Sequence, residues 1–136
     1  VKADFLVEAA VKSLLMEFAA AYQAQDIRAL TALYSPDADT VVIGSTEDEK
    51  CVGIEAIREA YERDFSSSGP VQLEFTWIHV SATAMVAWVA AECLAHAMVE
   101  KEKVSLPSRF TAVLENRDGS RWLISQQHFS FPAALS

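Results

Sequence analysis

Between Asp4 and Gln25 the apolar residues Val7, Val11, Leu14, Leu15, Phe18 and Tyr22 recur at steps of three and four, which predicts a helix with one buried stripe. Asp26 follows as an N-cap, its carboxylate placed to accept from free backbone donors of a second short helix over Ile27 to Tyr34, which Pro36 closes. Thr40 to Gly44 is β-branched and is followed by the polar, acidic turn Ser45 to Lys50, so it predicts a strand and an exposed turn, with Cys51 and Val52 as a short return. Gly53 opens a third helix. In it Ile54, Ile57, Tyr61 and Phe65 repeat at helical spacing while Glu55, Arg58, Glu59 and Glu62 face away, and Ser66 to Pro70 ends it.

Beyond Pro70 the period shifts from about 3.6 to 2, predicting four strands: Val71 to Ser81, Ala84 to Val99, Ser108 to Asn116 and Arg121 to Phe131. The run Glu100 to Lys103 is expected to be a solvated loop. Asp118-Gly119 suits the positive backbone angles of a two-residue hairpin. That turn would set Glu115 opposite Trp122, Val113 opposite Ile124, Thr111 opposite Gln126 and Arg109 opposite His128. Both faces of the last two strands carry apolar residues, so both need covering. The order of elements predicts an α+β domain with helices packed on one face of a curved, mostly antiparallel sheet, occupying residues 1–136 as one unit.

Composition narrows the partners. Nineteen acids against eleven bases give a net charge of −8, and nucleic-acid binding rests on cationic side chains, so nucleic acid is not expected as a partner. The longest nearly apolar stretch, Met85 to Val99, is interrupted by Glu92 and His96 and falls short of the roughly 20 residues a membrane helix needs. Asp4 and Glu8 stand where a signal peptide would be positive and then apolar, so a cytoplasmic protein without a membrane partner is expected. Cys51 and Cys93 lack metal-type spacing and are expected to be reduced. Three dispersed histidines make a metal site an unsupported expectation.

The order of these elements, together with Asp26-Ile27-Arg28-Ala29-Leu30-Thr31-Ala32-Leu33-Tyr34, Gly53-Ile54-Glu55-Ala56-Ile57-Arg58, Arg109-Phe110-Thr111-Ala112-Val113, Trp122-Leu123-Ile124 and His128-Phe129-Ser130, resembles the SnoaL-like branch of the nuclear-transport-factor-2-like superfamily, which has a ketosteroid-isomerase-like or cystatin-like fold. The resemblance spans nearly the whole chain and lies in the order and spacing of short blocks. It implies a cone-shaped α+β barrel in which three N-terminal helices close one end of a bent sheet around an apolar pocket. It also implies a homodimer through the sheet's outer face. The superfamily hosts isomerases, cyclases, hydratases, ring-hydroxylase subunits and association domains on one scaffold, so it leaves the chemistry open.

Compared with the ketosteroid isomerase type, which uses a carboxylate base with a tyrosine and a protonated acid as donors, the corresponding positions fall at Val42 or Ile43, Phe18 and near Arg109. None can take the expected role, so that mechanism is not expected. A different set remains. Trp88, Glu92 and His96 share a parity and so a strand face, and Glu92 is the one acid in its apolar strand, where burial requires a partner. Arg109, Glu92, His96 and His128 are therefore a candidate catalytic cluster at a pocket mouth, Arg109 binding an anionic or carbonyl oxygen and a histidine moving a proton. Trp77, Trp88, Tyr61 and Phe65, with Tyr22 and Phe18 of the first helix, are candidate ligand-binding walls. The competing expectation is an Arg109–Glu92 ion pair that fixes strand register. Two functions follow as expectations: a small-molecule pocket protein, acting without a cofactor as a lyase, isomerase or cyclase on an apolar carbonyl compound, or a non-enzymatic dimerising association module.

Overall fold

The computed structural model describes residues 1–134. Three helices, α1 (Phe5–Ala24), α2 (Ile27–Thr31) and α3 (Ile54–Ser67), pack on a six-stranded curved sheet made of β1 (Val41–Ile43), β2 (Lys50–Val52), β3 (Val71–Thr83), β4 (Val86–Val99), β5 (Glu102–Glu115) and β6 (Leu123–Ser130). The strand order is β2-β1-β6-β5-β4-β3. Only β1 and β6 run parallel; the other neighbours are antiparallel. This is the expected α+β architecture.

Local chemistry explains the helix boundaries. Asp4 caps α1 by accepting from the Val7 N–H at 2.9 Å, and Asp26 caps α2 by accepting from the Ala29 N–H at 3.0 Å. α2 is shorter than its apolar pattern predicts. After Thr31 the chain leaves the helix and runs beside β6, where Ser35 N–H donates to Ile124 O and Ile124 N–H to Leu33 O, both at 2.8 Å. Sheet-type bonds to β6 replace the last helical turn, and they carry Tyr34 into the interior. Gly53 opens α3 at φ +89°, a left-handed-side angle that favours glycine, while its N–H donates to Thr40 O at 2.7 Å.

The strands differ from expectation at two joints. β5 begins at Glu102, well before Ser108, because Glu100 and Lys101 both adopt positive φ and close a two-residue hairpin with β4. Pro107 sits inside this strand, which is tolerated because β6 reaches only as far as Arg109 and leaves Pro107 on an edge. The Asp118-Gly119 turn is wider than a two-residue hairpin. Asp118 accepts from the Ser120 N–H at 2.9 Å, pairing resumes only at Glu115 with Leu123, and a bulge follows between Val113 and Leu114. The register is consequently Thr111 with His128 and Arg109 with Ser130, so Arg109 and His128 are not the opposite pair the tight turn predicts.

A second bulge, between Phe75 and Trp77, bends β3 against β4. Val11, Leu14, Leu15 and Phe18 of α1 pack into the resulting hollow against Val80, Val89, Ala91, Phe110 and Ala112. Phe110 is the centre of this core, its ring 5.5 Å from that of Phe18 and 5.9 Å from that of Phe75. The first residues of the chain cover the free edge of β3, with Ala82 N–H donating to Val1 O at 2.9 Å.

Candidate functional site

The helices fill only part of the hollow. Between α1, α3 and the sheet they leave a cavity of about 470 Å³ that is partly open to solvent. Alternation along the strands sets its walls. On β3 and β4 the inward positions give Val71, Leu73, Ala95 and Ala97; on β5 and β6 they give Leu106, Gln127 and Phe129; α1 and α3 add Phe18, Tyr22, Ile57 and Tyr61. Small alanines on β4 opposite the aromatic side chains of the helices leave the space unfilled.

At the closed end lies a polar floor. The Tyr34 hydroxyl donates to Gln127 Oε1 at 2.6 Å and stands 2.6 Å from the Tyr61 hydroxyl, so three nearly buried side chains share one network. Burial pushes both phenols above their ordinary titration range; Tyr61 raises Tyr34 further, whereas the hydrogen bond with Tyr34 pulls Tyr61 back, and Gln127 acts downward on both. Both tyrosines therefore stay protonated donors at any physiological pH. The Gln127 carboxamide has two N–H donors, of which the Tyr61 oxygen can take at most one, and Gln127 lines the cavity. Gln127 thus brings a carboxamide to an otherwise largely apolar wall.

The rim has the opposite character. Asp48 and Glu49, on the hairpin between β1 and β2, and Asp64, in the last turn of α3, line the mouth with one guanidinium, Arg63. Glu49 folds back onto its own hairpin, accepting from the Ser45 N–H at 3.1 Å, and a side chain at position 44 would collide with its carboxylate, so Gly44 permits this fold. Partial burial holds Asp64 above the usual carboxylate range, Glu49 and Asp48 push it further in the same direction, and Arg63 opposes them. Tyr22 is raised first by burial and then by Asp64 and Glu49, which sets both acids near its ring.

The residues singled out from sequence divide between two faces. Phe18, Tyr22 and Tyr61 line the cavity, and Phe65 packs behind them, 5.4 Å from the Tyr22 ring and 5.9 Å from that of Tyr61. Arg109, Glu92, His96, His128, Trp77 and Trp88 all project from the outer face, away from the cavity. The reason is parity: Ala87, Val89, Ala91, Cys93 and Ala95 are the buried members of β4, so the even-numbered residues point outward. Glu92 and Arg109 are opposite in register, but both are exposed and no ion pair joins them among the described residues. His96 is held elsewhere, with Nδ1 2.6 Å from Ser105 Oγ and Nε2 2.9 Å from Glu74 Oε1. The positions compared above with a catalytic base, Val42 and Ile43, do line the cavity.

Gln127, Tyr34 and the rim acids escape a reading of the sequence. Gln126-Gln127 gives no hint of which amide turns inward, since the bulge in β6 resets the alternation. Tyr34 reads as the end of a helix. Asp48 and Glu49 read as part of an exposed turn and Asp64 carries no signal of its own, and only the tertiary fold brings hairpin and helix end to one cavity.

The sequence pattern that defines the SnoaL-like domain matches residues 11–134. The chain belongs to the SnoaL-like family. Solved structures agree with the fold: a nuclear-transport-factor-2-like protein of unknown function from Pseudomonas putida KT2440 superposes with a TM-score of 0.83 at 20% identity, covering 98% of this chain and 92% of that one. A candidate dehydratase of the same superfamily from Streptomyces avermitilis gives 0.78 at 20% identity, with coverages of 93% and 96%. A candidate calcium/calmodulin-dependent protein kinase II association domain from Xanthomonas campestris gives 0.78 at 24% identity, with coverages of 92% and 87%. At these identities the likeness extends to the fold alone. No functionally curated protein resembles this SnoaL-like chain closely enough to count as a relative. Among the described residues no helix is long and apolar enough to cross a membrane.

Proposed function

We propose that this SnoaL-like protein takes a small, mostly apolar carbonyl compound into the inner cavity and acts on it without a cofactor, as a lyase, isomerase or cyclase. The observation that carries the reading is the combination of apolar walls with a buried donor network at the closed end. A carbonyl oxygen seated beside Gln127 would accept from its amide N–H in a water-poor site, which stabilises negative charge developing on that oxygen and acidifies the adjoining C–H.

Thermal stabilisation by a panel of cyclic enones and aryl ketones tests the binding step. Wild type should be stabilised by at least one member, Gln127→Leu should lose that response, and Leu73→Trp, which fills the cavity, should lose it too. Stabilisation that persists in the filled variant would place the ligand elsewhere and end the reading.

A second reading, a dimerising association module, has its own support. Trp77 and Trp88 are 48% and 39% exposed on the outer face, and a shallow groove there is lined by Trp88, Ala90, Thr111, Val113 and His128. In that reading Arg109, Glu92, His96 and His128 are polar contacts of a homodimer interface. Sedimentation of Trp88→Lys against wild type tests it: an unchanged molecular mass would remove the outer face from consideration.

A further inference from the structure

Charge at the mouth of the cavity restricts what can enter. Asp48, Glu49 and Asp64 face Arg63 alone, and among the described residues none of these carboxylates forms an ion pair within 4 Å. The last turn of α3, which carries Asp64, has no basic residue, so the partial negative charge of the helix C-terminus adds to the same side. Behind the acids stand the rings of Tyr22, Tyr61 and Phe65 in mutual contact at 5.4 to 6.3 Å, and aromatic faces attract cations. At the far end Gln127, only 4% exposed, lines the cavity; its Oε1 is taken by Tyr34, and its carboxamide nitrogen carries two N–H donors. From these two ends, we infer that the cavity selects an apolar molecule carrying a basic nitrogen at its outer end and an oxygen acceptor at its buried end, and that it rejects carboxylates.

The inference rests on the reading of the cavity as a ligand site and adds the ligand's charge. An ammonium at the rim replaces mutual repulsion of three carboxylates with attraction. A carboxylate at the same place adds a fourth negative charge to a surface with few compensating groups. The net charge of −8 acts in the same direction at longer range, drawing cations toward the chain and slowing the approach of anions. Arg63 does not cancel this effect, being one cation among three carboxylates in the cavity lining.

Matched skeletons separate charge from shape. 4-Phenylbutylamine, 4-phenylbutan-1-ol and 4-phenylbutanoate share one apolar body, and 4-(3-aminopropyl)acetophenone adds the buried acceptor. Titration calorimetry at low salt should rank the amine at least about tenfold tighter than the carboxylate, with the alcohol between them, and the acetophenone amine tighter than the plain amine. Raising the salt to about 0.5 M should shrink the amine's advantage, because rim charges are screened. Asp48→Asn with Asp64→Asn should bring the amine and the carboxylate within about threefold of each other while leaving the alcohol unchanged; Glu49 is kept because it holds its own hairpin. Equal binding of all three head groups would overturn the charge inference and leave the pocket reading standing. Failure of every compound to bind at millimolar concentration, with the variant correctly folded by circular dichroism, would overturn both.

Discussion

Replacing Tyr34 by Phe removes one oxygen from the network behind the cavity wall and should cost more than a surface hydroxyl would. Tyr34 is 2% exposed, and its hydroxyl joins Gln127 Oε1 and the Tyr61 hydroxyl, each at 2.6 Å. The substitution leaves two buried groups short of a partner, each worth about 1–3 kcal/mol when unsatisfied. Tyr61 can turn its proton toward Gln127, since both already act on one another, and this recovers about one of the two. The expected loss is therefore about 2 kcal/mol, which for a chain of 136 residues corresponds to a fall of roughly 6–10 °C in Tm. Urea denaturation of Tyr34→Phe, Gln127→Leu and the double variant measures it. Because the residues share one network, the double variant should be less destabilised than the sum of the singles by about 1 kcal/mol or more. Additive losses, or a Tyr34→Phe cost below about 0.5 kcal/mol, would show that the floor is wet and that the donors do not act as a unit.

Further predictions concern the frame around the site. Phe110→Ala empties the centre of the core, at 1% exposure between Phe18 and Phe75, and should cost about 3–5 kcal/mol in the same denaturation experiment. Asp26→Ala removes the cap of α2 and should cost about 1 kcal/mol. Gly53→Ala meets ordinary space but forces a side chain to φ +89° with ψ 154°, a region essentially confined to glycine, so a loss of about 1–3 kcal/mol is expected from backbone strain alone. Two carboxylates should show opposite pH behaviour in Tm profiles. Asp64 is raised by the fold, so its contribution is most favourable below the unfolded value near 3.8 and is lost as pH rises through its folded value; Asp64→Asn should therefore be the more stable protein at pH 7 and gain nothing at pH 3. Asp37 is lowered by its hydrogen bond with Arg117, so its contribution is present above about 3.8 and is lost as pH falls, and Asp37→Asn should be less stable than wild type at neutral pH only.

The elements were legible because each carries a local signal. The 3.6-residue recurrence of Val7, Val11, Leu14, Leu15 and Phe18, the capping carboxylates Asp4 and Asp26, and the change to period 2 after Pro70 each act through nearest neighbours along the chain. The order of these elements was enough to fix an α+β fold with helices on one face of a bent sheet, and the family pattern over residues 11–134 agrees. Turn chemistry was legible only in part: Asp118-Gly119 announced a reversal but not its width, and Glu100-Lys101 closed a hairpin with none of the usual turn residues.

The choice between the two faces of β4 belonged to tertiary structure. Its odd positions are alanines, two valines and a cysteine, and its even positions include Trp88 and Leu94, so hydrophobicity favours neither side as the interior. What decides is volume. Only the small odd-numbered side chains leave room for α1 and a cavity beneath it, while Trp88, Glu92 and His96 fit outside. The same long-range packing turns Gln127 inward and draws Tyr34 out of a helix and alongside β6, so the floor of the site is assembled from residues 93 positions apart in the chain. Sequence patterns thus determined the elements and their order, because those obey local periodicity, whereas the cavity, its donors and its acidic mouth arose from contacts between distant segments, for which no local pattern exists.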